Sequence, residues 1–471
     1  MADQWTPIPI NGKLYENLDD TQLRQGYAAL ENAFINENGG LSRFWGFETF
    51  CTLPDNGRVY LHEWRGSMVA ATSKGRFYTV EKSGTANDKT AVPVAGDRRV
   101  VFARTEDELV MTAGRKPVRF AGHLTELLSP DAPDSTHCGY LDSYLLLTER
   151  DSGRFVHSPA GEYRTFDPLD TFAAEGQPDN IEGMIITPFR EVLLGGDRSF
   201  EQFERLTTGS LPFFRRWAIG EGLSAPYTLL FADNATFCIN RNQEFVRFSG
   251  QVTQPVSNDI GAVLETVDDW TDAWVGGFPD QPLDVFGQRF ILLQIPNATN
   301  PYGTKGLTYL YDYRNRRWTS LYGWDNALAR PVRFPVWSHW SIDGNVYLGG
   351  DGVIYRLTRS AHSFAGGVNR MMCRTAHIGE GGPVEVTNLR LRVKRGVGST
   401  TVQPKILLRA KRDNKNWTNW KEKGLGKAGD GWLYIEFGGF GAGHSFQFEW
   451  YVTDDCPVEI SGLQAILEKV D

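Results

Sequence analysis

Eight histidines, at positions 62, 123, 137, 157, 339, 362, 377 and 444, are the side chains best suited to moving protons or holding a metal near neutral pH. None stands in an H-x-x-x-H pair or beside a carboxylate at ligand spacing, which argues against a zinc enzyme. No G-x-G-x-x-G lies between a strand and a helix, and no G-x-x-x-x-G-K-[ST] is present. The run GGFGAG at 438–443 falls between two expected strands, so a connecting loop is expected there rather than a phosphate cradle. Trp417 and Trp420, with Trp432 nearby, have the chemistry to stack on sugars, although tryptophans so spaced in a β module more often pack on their own sheet. Arg314, Arg316, Arg317 and Trp318, in YDYRNRRWTS, have the chemistry to meet an acidic partner or a nucleic acid. Glu265, Asp268, Asp269 and Asp272 form an acidic cluster whose plainest reading is a solvated face. No cofactor or metal is expected, and no catalytic residue emerges.

The elements that must position these groups are β-strands. Aromatic residues make up 13% of the 471 residues and Gly numbers 50, which favours short strands and tight turns over helices. The formal net charge of -8 gives no obvious counterion-release drive toward nucleic acid. Cys51, Cys138, Cys238, Cys373 and Cys456 are odd in number and widely spaced, as reduced and mostly buried thiols would be. The segment MADQWTPIPINGKLYENLDD lacks the basic and apolar regions of a secretory signal, and no apolar run is long enough to span a membrane.

The stretch IEGMIIT, EVLLGG, SFEQFERL at 181–206 is a unit of three short strands joined by turns. Similar units recur from Arg58 to Thr358. The second strand of each begins near Ser67, Glu108, Ser143, Arg190, Ala235, Gln288 and Gly344, giving steps of 41, 35, 47, 45, 53 and 56 residues. Periods of this length, with three or four antiparallel strands each, predict a β-propeller of six or seven blades. Some propellers cleave glycosides with two carboxylates about 5 to 10 Å apart, a separation set in space rather than along the chain. The S-x-D-x-G-x-T-W repeat of sialidase-like propellers is absent; SIDGNVYLGG at 341–350 approaches it without the Thr-Trp end.

Flanking segments depart from the repeat. Residues 1–50 form an N-terminal arm, with a short helix expected within Leu18 to Phe34 and a first strand in LSRFWGFETF. The insertion at 251–277 carries a second expected helix, capped by Ser257 and amphipathic through Ile260, Val263, Leu264 and Val267, with the acidic cluster on a loop projecting from the blades. The propeller is expected over 51–360. Beyond the linker SAHSFAGGVNR, five longer alternating strands predict a jelly-roll-like β-sandwich over 361–471.

Three stretches carry a resemblance to a known family: ENAFINENGGLSRFWGFETF near the start, AEGQPDNIEGMIITPFREVLLGGDRSFEQFERLTTG in the middle, and GHSFQFEWYVTDDCPVEISGLQAILE at the end. In this order they resemble the packaged DNA stabilisation proteins of short-tailed bacteriophages, also described as tail accessory factor, hub or nozzle proteins. AEGQPDNI at 174–181 is the most specific part. The resemblance implies a structural virion protein, not an enzyme. It implies a homo-hexameric ring below the portal and its adaptor protein, assembled in the host bacterial cytoplasm, that contacts a tail needle or plug and a tailspike or tail fibre. Packaged DNA would pass through without specific binding, and the chain would not insert into a membrane. On this reading Arg314, Arg316, Arg317 and Trp318 are candidate subunit contacts, and Glu265, Asp268, Asp269 and Asp272 candidate lining of the DNA channel. A glycan-binding or glycan-cleaving tail component, or a cellular scaffold propeller, would share the same blades.

Overall fold

The computed structural model describes residues 5–16, 26–174, 176–206, 211–277, 281–379, 382–394, 403–426 and 431–469. The second strands of the repeat are its most apolar segments, and each is buried along nearly its whole length: Ser67–Thr72, Leu109–Thr112, Tyr144–Glu149, Glu191–Gly196, Ala235–Ile239, Gln288–Thr299 and Asn345–Gly349. A strand covered on both faces needs a neighbour on each side, and blades set around an axis supply both.

Six of the seven units are separate four-stranded antiparallel sheets. The remaining one is built from Trp274–Val275, Gln288–Thr299, Lys305–Asp312 and Arg317–Ser320. Aromatic pairs join successive blades. Phe77 meets Phe120 at 4.8 Å, Phe155 meets Phe203 at 5.2 Å, Phe200 meets Phe248 at 5.3 Å and Phe245 meets Trp318 at 5.5 Å between ring centroids. Trp340 and Ile354 of the last blade share a core with Leu61 and Tyr78 of the first, which closes a ring of seven. The outer strand of the last blade comes from the other end of the repeat: Phe47–Thr52 pairs with Val353–Leu357, with Cys51 opposite Ile354. LSRFWGFETF is therefore two strands, Leu41–Arg43 in the sandwich and Phe47–Thr52 in the propeller.

The C-terminal module is a two-layer sandwich completed by the beginning of the chain. One sheet runs Ala33–Ile35, Leu41–Arg43, Glu459–Lys469, Val384–Lys394, Trp432–Gly443, with Trp5–Ile8 also pairing with Glu459–Lys469. The other contains Gly26–Glu31, Met371–Thr375, Phe446–Val452, Lys405–Arg412 and Lys421–Gly424, and joins the sixth blade through a parallel bridge of Glu31 to Ser320. Leu389, Leu391 and Val393 face Ile406, Leu408 and Trp450 in one core.

Several sequence expectations are corrected. Of the expected helix within Leu18 to Phe34, residues 18–25 lie outside the described residues, and Gly26–Glu31 and Ala33–Ile35 are strands. Backbone pairing of Tyr27–Glu31 with Met372–Thr375 overrides the helical spacing of Tyr27 and Leu30. The insertion has one turn of helix, Gly261–Leu264, without a side-chain cap. Ser257 Oγ instead accepts the Phe245 N–H at 2.9 Å. The insertion does not project, because Ile260, Leu264, Val267 and Trp270 are drawn into the core shared by the fifth and sixth blades and the sandwich. Gly438–Gly443 is no loop but the end of the strand Trp432–Gly443; Gly439 and Gly441, at φ of 75° and 76°, give the left-handed bends that carry the strand past a bulge opposite Val386–Asn388.

Candidate functional site

The first place to look for chemistry is the propeller axis, where the innermost strands converge. Arg99 stands just before the innermost strand of the second blade, Val101–Arg104. Its guanidinium lies 4.7 Å over the ring of Tyr60 in the first blade and 4.3 Å over Trp274 in the sixth, and it donates to the Trp337 carbonyl, at the seventh, at 2.6 Å. A side chain from one blade that reaches three others crosses the centre, so protein fills the axis at this end. Burial lowers the Arg99 pKa to about 10. Beside it Trp337 is sandwiched between Arg58 at 4.1 Å and Arg333 at 3.8 Å, and its indole N–H donates to Asp351 at 2.7 Å.

The histidines here are structural. Burial pushes His62, His137 and His339 down to about 4, so all three are neutral at pH 7. The buried carboxylates are committed as well. Glu108 holds Arg119 at 3.0 Å and also Arg164, Glu201 holds Arg215 at 3.3 Å and the Gly176 N–H at 2.6 Å, and Glu449 holds Arg374 at 2.5 Å and Arg409 at 2.6 Å. Arginine-paired acids of this kind hold segments in place. Among the described residues no group of three or more His, Cys, Asp or Glu is placed to hold a metal, and the five cysteines are buried and unpaired.

The predicted site residues separate. Trp318 is a core residue, 1% exposed, stacked on Tyr311 at 4.5 Å and donating its indole N–H to the Val256 carbonyl at 2.7 Å. It is not available to a partner, which corrects that expectation: the pairing of Trp318 with Tyr311 turns its ring inward. Arg314 and Arg316 are exposed on the adjoining turn, and Arg317 is half-buried. Of the four acids, Asp272 pairs with Arg58 at 3.1 Å beside the propeller axis, and Asp269 accepts from Thr271 at 2.6 Å and Asn297 at 2.7 Å. Glu265 and Asp268 are exposed. Trp417 and Trp420 lie on the outer face of the second sandwich sheet with Arg409 stacked 4.5 and 4.3 Å from their rings. Trp432 lies on the other sheet.

Sequence reasoning missed the joint between the modules. Arg43, 5% exposed, donates to the carbonyls of Asp454 at 2.5 Å, Cys456 at 2.8 Å, Val452 at 2.9 Å and also Asn369. Glu31 binds Arg370 at 2.7 Å and the Tyr302 hydroxyl. The enclosed carboxylate of Glu16 accepts from Tyr309 at 2.5 Å, and burial, with Glu31 near, raises it to about 7. A cleft of about 580 Å³ opens at this joint between the aromatic side chains of Phe34, Trp45 and Phe286 and the polar ends of Arg359, His362 and Lys394. Its charges are partly used: Lys394 pairs with Glu459 at 3.5 Å, and Arg359 lies 4.7 Å over Phe286. Nothing but the single basic and aromatic letters of these distant segments marks the joint in the sequence.

Asp179 and Ile181, within AEGQPDNI, clamp the third and fourth blades together. Asp179 accepts from the Arg198 N–H at 2.7 Å and from the Ser199 hydroxyl at 3.2 Å, and the Ile181 N–H donates to the Ser152 carbonyl at 2.9 Å. This stretch falls within residues 22–306, which match the model of the family described as Bacteriophage P22 Gp10, beta-propeller. The chain belongs to this family. It is a bacteriophage structural protein of the kind that stabilises packaged DNA, and hence a virion component. No curated protein matches it. Among solved structures, the chain is similar to the WD40 propeller domain of Doa1, at 8% identity and TM-score 0.41 over 66% of this chain and 96% of that one. It is also similar to virginiamycin B lyase from Staphylococcus aureus, at 10% identity and TM-score 0.42 over 65% and 97%. Likenesses this distant carry no chemistry across.

Proposed function

We propose that this chain is a subunit of the tail hub or nozzle: a six-fold ring below the portal and adaptor that continues the DNA channel and anchors a plug and spikes or fibres. The observation that supports this best is the filled propeller axis. With Arg99 crossing it, DNA has no path through one propeller, so a channel built from this family's subunits must be bounded by several copies. A closed ring with a repeated heterologous interface is the ordinary way to form one. Buried arginine-paired acids, neutral histidines and a clamped inter-blade motif suit a rigid subunit more than a catalytic one. The exposed Glu265 and Asp268 would repel a duplex within the Debye length of about 10 Å if they face the channel. Arg314 and Arg316 remain candidates for a subunit contact.

The test is electron microscopy of the purified chain mixed with the adaptor and portal of its virus. Six-fold density added below the adaptor supports the reading. Binding as single copies, or no binding, overturns it.

A further inference from the structure

The sheet edge that the strand Trp432–Gly443 presents is guarded along only part of its length. That strand pairs with Val384–Lys394 on one side and is the last in its sheet. Toward its end, carbonyls are covered: Lys421 donates to Gly438 and, at 3.0 Å, to Gly439, and Arg412 donates to Ala442 at 3.1 Å. Such capping by cations is how sheet edges are kept from pairing with other chains. Along Trp432–Tyr434 no comparable cap exists among the described residues. Trp432, Leu433 and Tyr434 are 38%, 41% and 44% exposed. Successive strand residues point to opposite faces, so three exposed in a row mean that this end stands clear of the sandwich on both sides.

The sheet face beside it has the composition of a protein contact. Arg390 is held between Trp5 at 3.9 Å and Tyr434 at 4.0 Å, and Arg392 lies 5.5 Å from the ring of Trp432. The Arg390 Nε–H donates to Gln464 at 2.7 Å. Neither arginine has an ion-pair partner among the described residues. Trp, Tyr and Arg, pre-stacked and so needing little ordering, are the residues that dominate binding energy at interfaces.

Charge indicates the partner. Residues 47–360, which hold the blades, have 31 Lys and Arg against 39 Asp and Glu, whereas residues 1–46 together with 361–471 have 18 of each. Arg390 and Arg392 of one copy, which have no ion-pair partner among the described residues, thus complement the acidic propeller of another. We propose that Trp432–Tyr434, with Trp5, Arg390 and Arg392, docks onto the acidic propeller of a second copy of this chain. The contact is heterologous, so it extends from copy to copy and closes only as a ring. This deepens the ring reading and rests on it.

The experiment places a photo-crosslinking phenylalanine at Leu433 in the full chain, irradiates it during ring assembly on the adaptor, and maps linked peptides by mass spectrometry. The expected result is linkage to residues 51–360 of another copy, reduced at least about tenfold by Trp432→Ala with Tyr434→Ala and by about 1 M salt, where the Debye length falls to about 3 Å. Linkage only to residues 361–471 of another copy, or only to the adaptor or to DNA, overturns the proposal. Rings that assemble equally well with Trp432→Ala and Tyr434→Ala overturn it while leaving the ring reading intact. Absence of rings from the unsubstituted protein defeats the ring reading itself. Unchanged melting of the double variant, at two exposed positions, shows that the fold is not what the substitutions disturb.

Discussion

In the propeller every blade but the last is made from consecutive strands, and each core is shared with the next blade along the chain. The sandwich is made from both ends of the sequence: Trp5 pairs opposite Ile466, and Tyr27 opposite Thr375. The propeller is held mainly by aromatic packing between neighbours. The joint to the sandwich adds buried polar groups to the apolar core it shares with the fifth and sixth blades: Arg43 on four carbonyls and Glu31 on Arg370. Apolar packing between local repeats tolerates exchange of similar shapes, whereas a buried charge with fixed partners tolerates almost none. The two regions should therefore fail differently.

The largest loss is expected in the propeller core. Trp318→Ala removes a fully buried indole and its hydrogen bond, and should cost about 3–5 kcal/mol in chemical denaturation. A loss under about 1 kcal/mol would mean that the fifth and sixth blades do not pack through this ring. Next comes the joint. Arg43→Leu leaves four buried carbonyls without their donor and should cost about 2–4 kcal/mol. Hydrogen exchange should rise first in residues 452–456 and 369–375; uniform exchange across the propeller would contradict a local role for Arg43.

These two residues also show what the sequence made legible. The seven second strands were readable because a strand buried on both faces is an unbroken apolar run. The outer strands, such as Ala86–Asp88 and Thr171–Ala173, were not, because they sit at the blade rim and carry no alternation. Trp318 was misread because three arginines precede it, and only the strand register turns its ring inward. The joint was hidden because its partners lie hundreds of residues apart: Arg43 and Asp454 share no local pattern. Local periodicity reports local packing, and contacts that close over the whole chain leave little trace in it.

A third, smaller effect separates the regions by pH. The Glu16 carboxyl is raised in the folded protein from 4.5 to about 7. A carboxyl raised on folding stabilises least where it is ionised: its favourable contribution is full below about pH 4.5 and falls as pH rises toward 7. Glu16→Gln, which can still accept from Tyr309, should therefore match the unsubstituted protein near pH 5 and exceed its stability by roughly 1–3 kcal/mol at pH 8. Equal stability of the two at pH 8 would show that the N-terminal arm carries no such titration.

The smallest effect belongs to the exposed turn of the sixth blade. Arg316 has φ of 52°, so Asn, which tolerates that conformation, is the appropriate replacement. Arg314→Ala with Arg316→Asn should change stability by no more than about 0.5 kcal/mol. If the pair is a subunit contact, ring assembly weakens while melting stays unchanged; unaltered assembly removes these arginines from the interface. Charge reversal at Glu265→Lys and Asp268→Lys spares the Asp272 pair with Arg58, and slower genome release at low salt is the outcome expected if they face the channel.

The most direct test of the whole account uses virus particles assembled without this chain. They should package DNA and then lose it, measured as nuclease-sensitive DNA after packaging, and adding the purified protein before release should retain the genome. Particles that keep their DNA fully protected without the chain would contradict its role in stabilising the packaged genome.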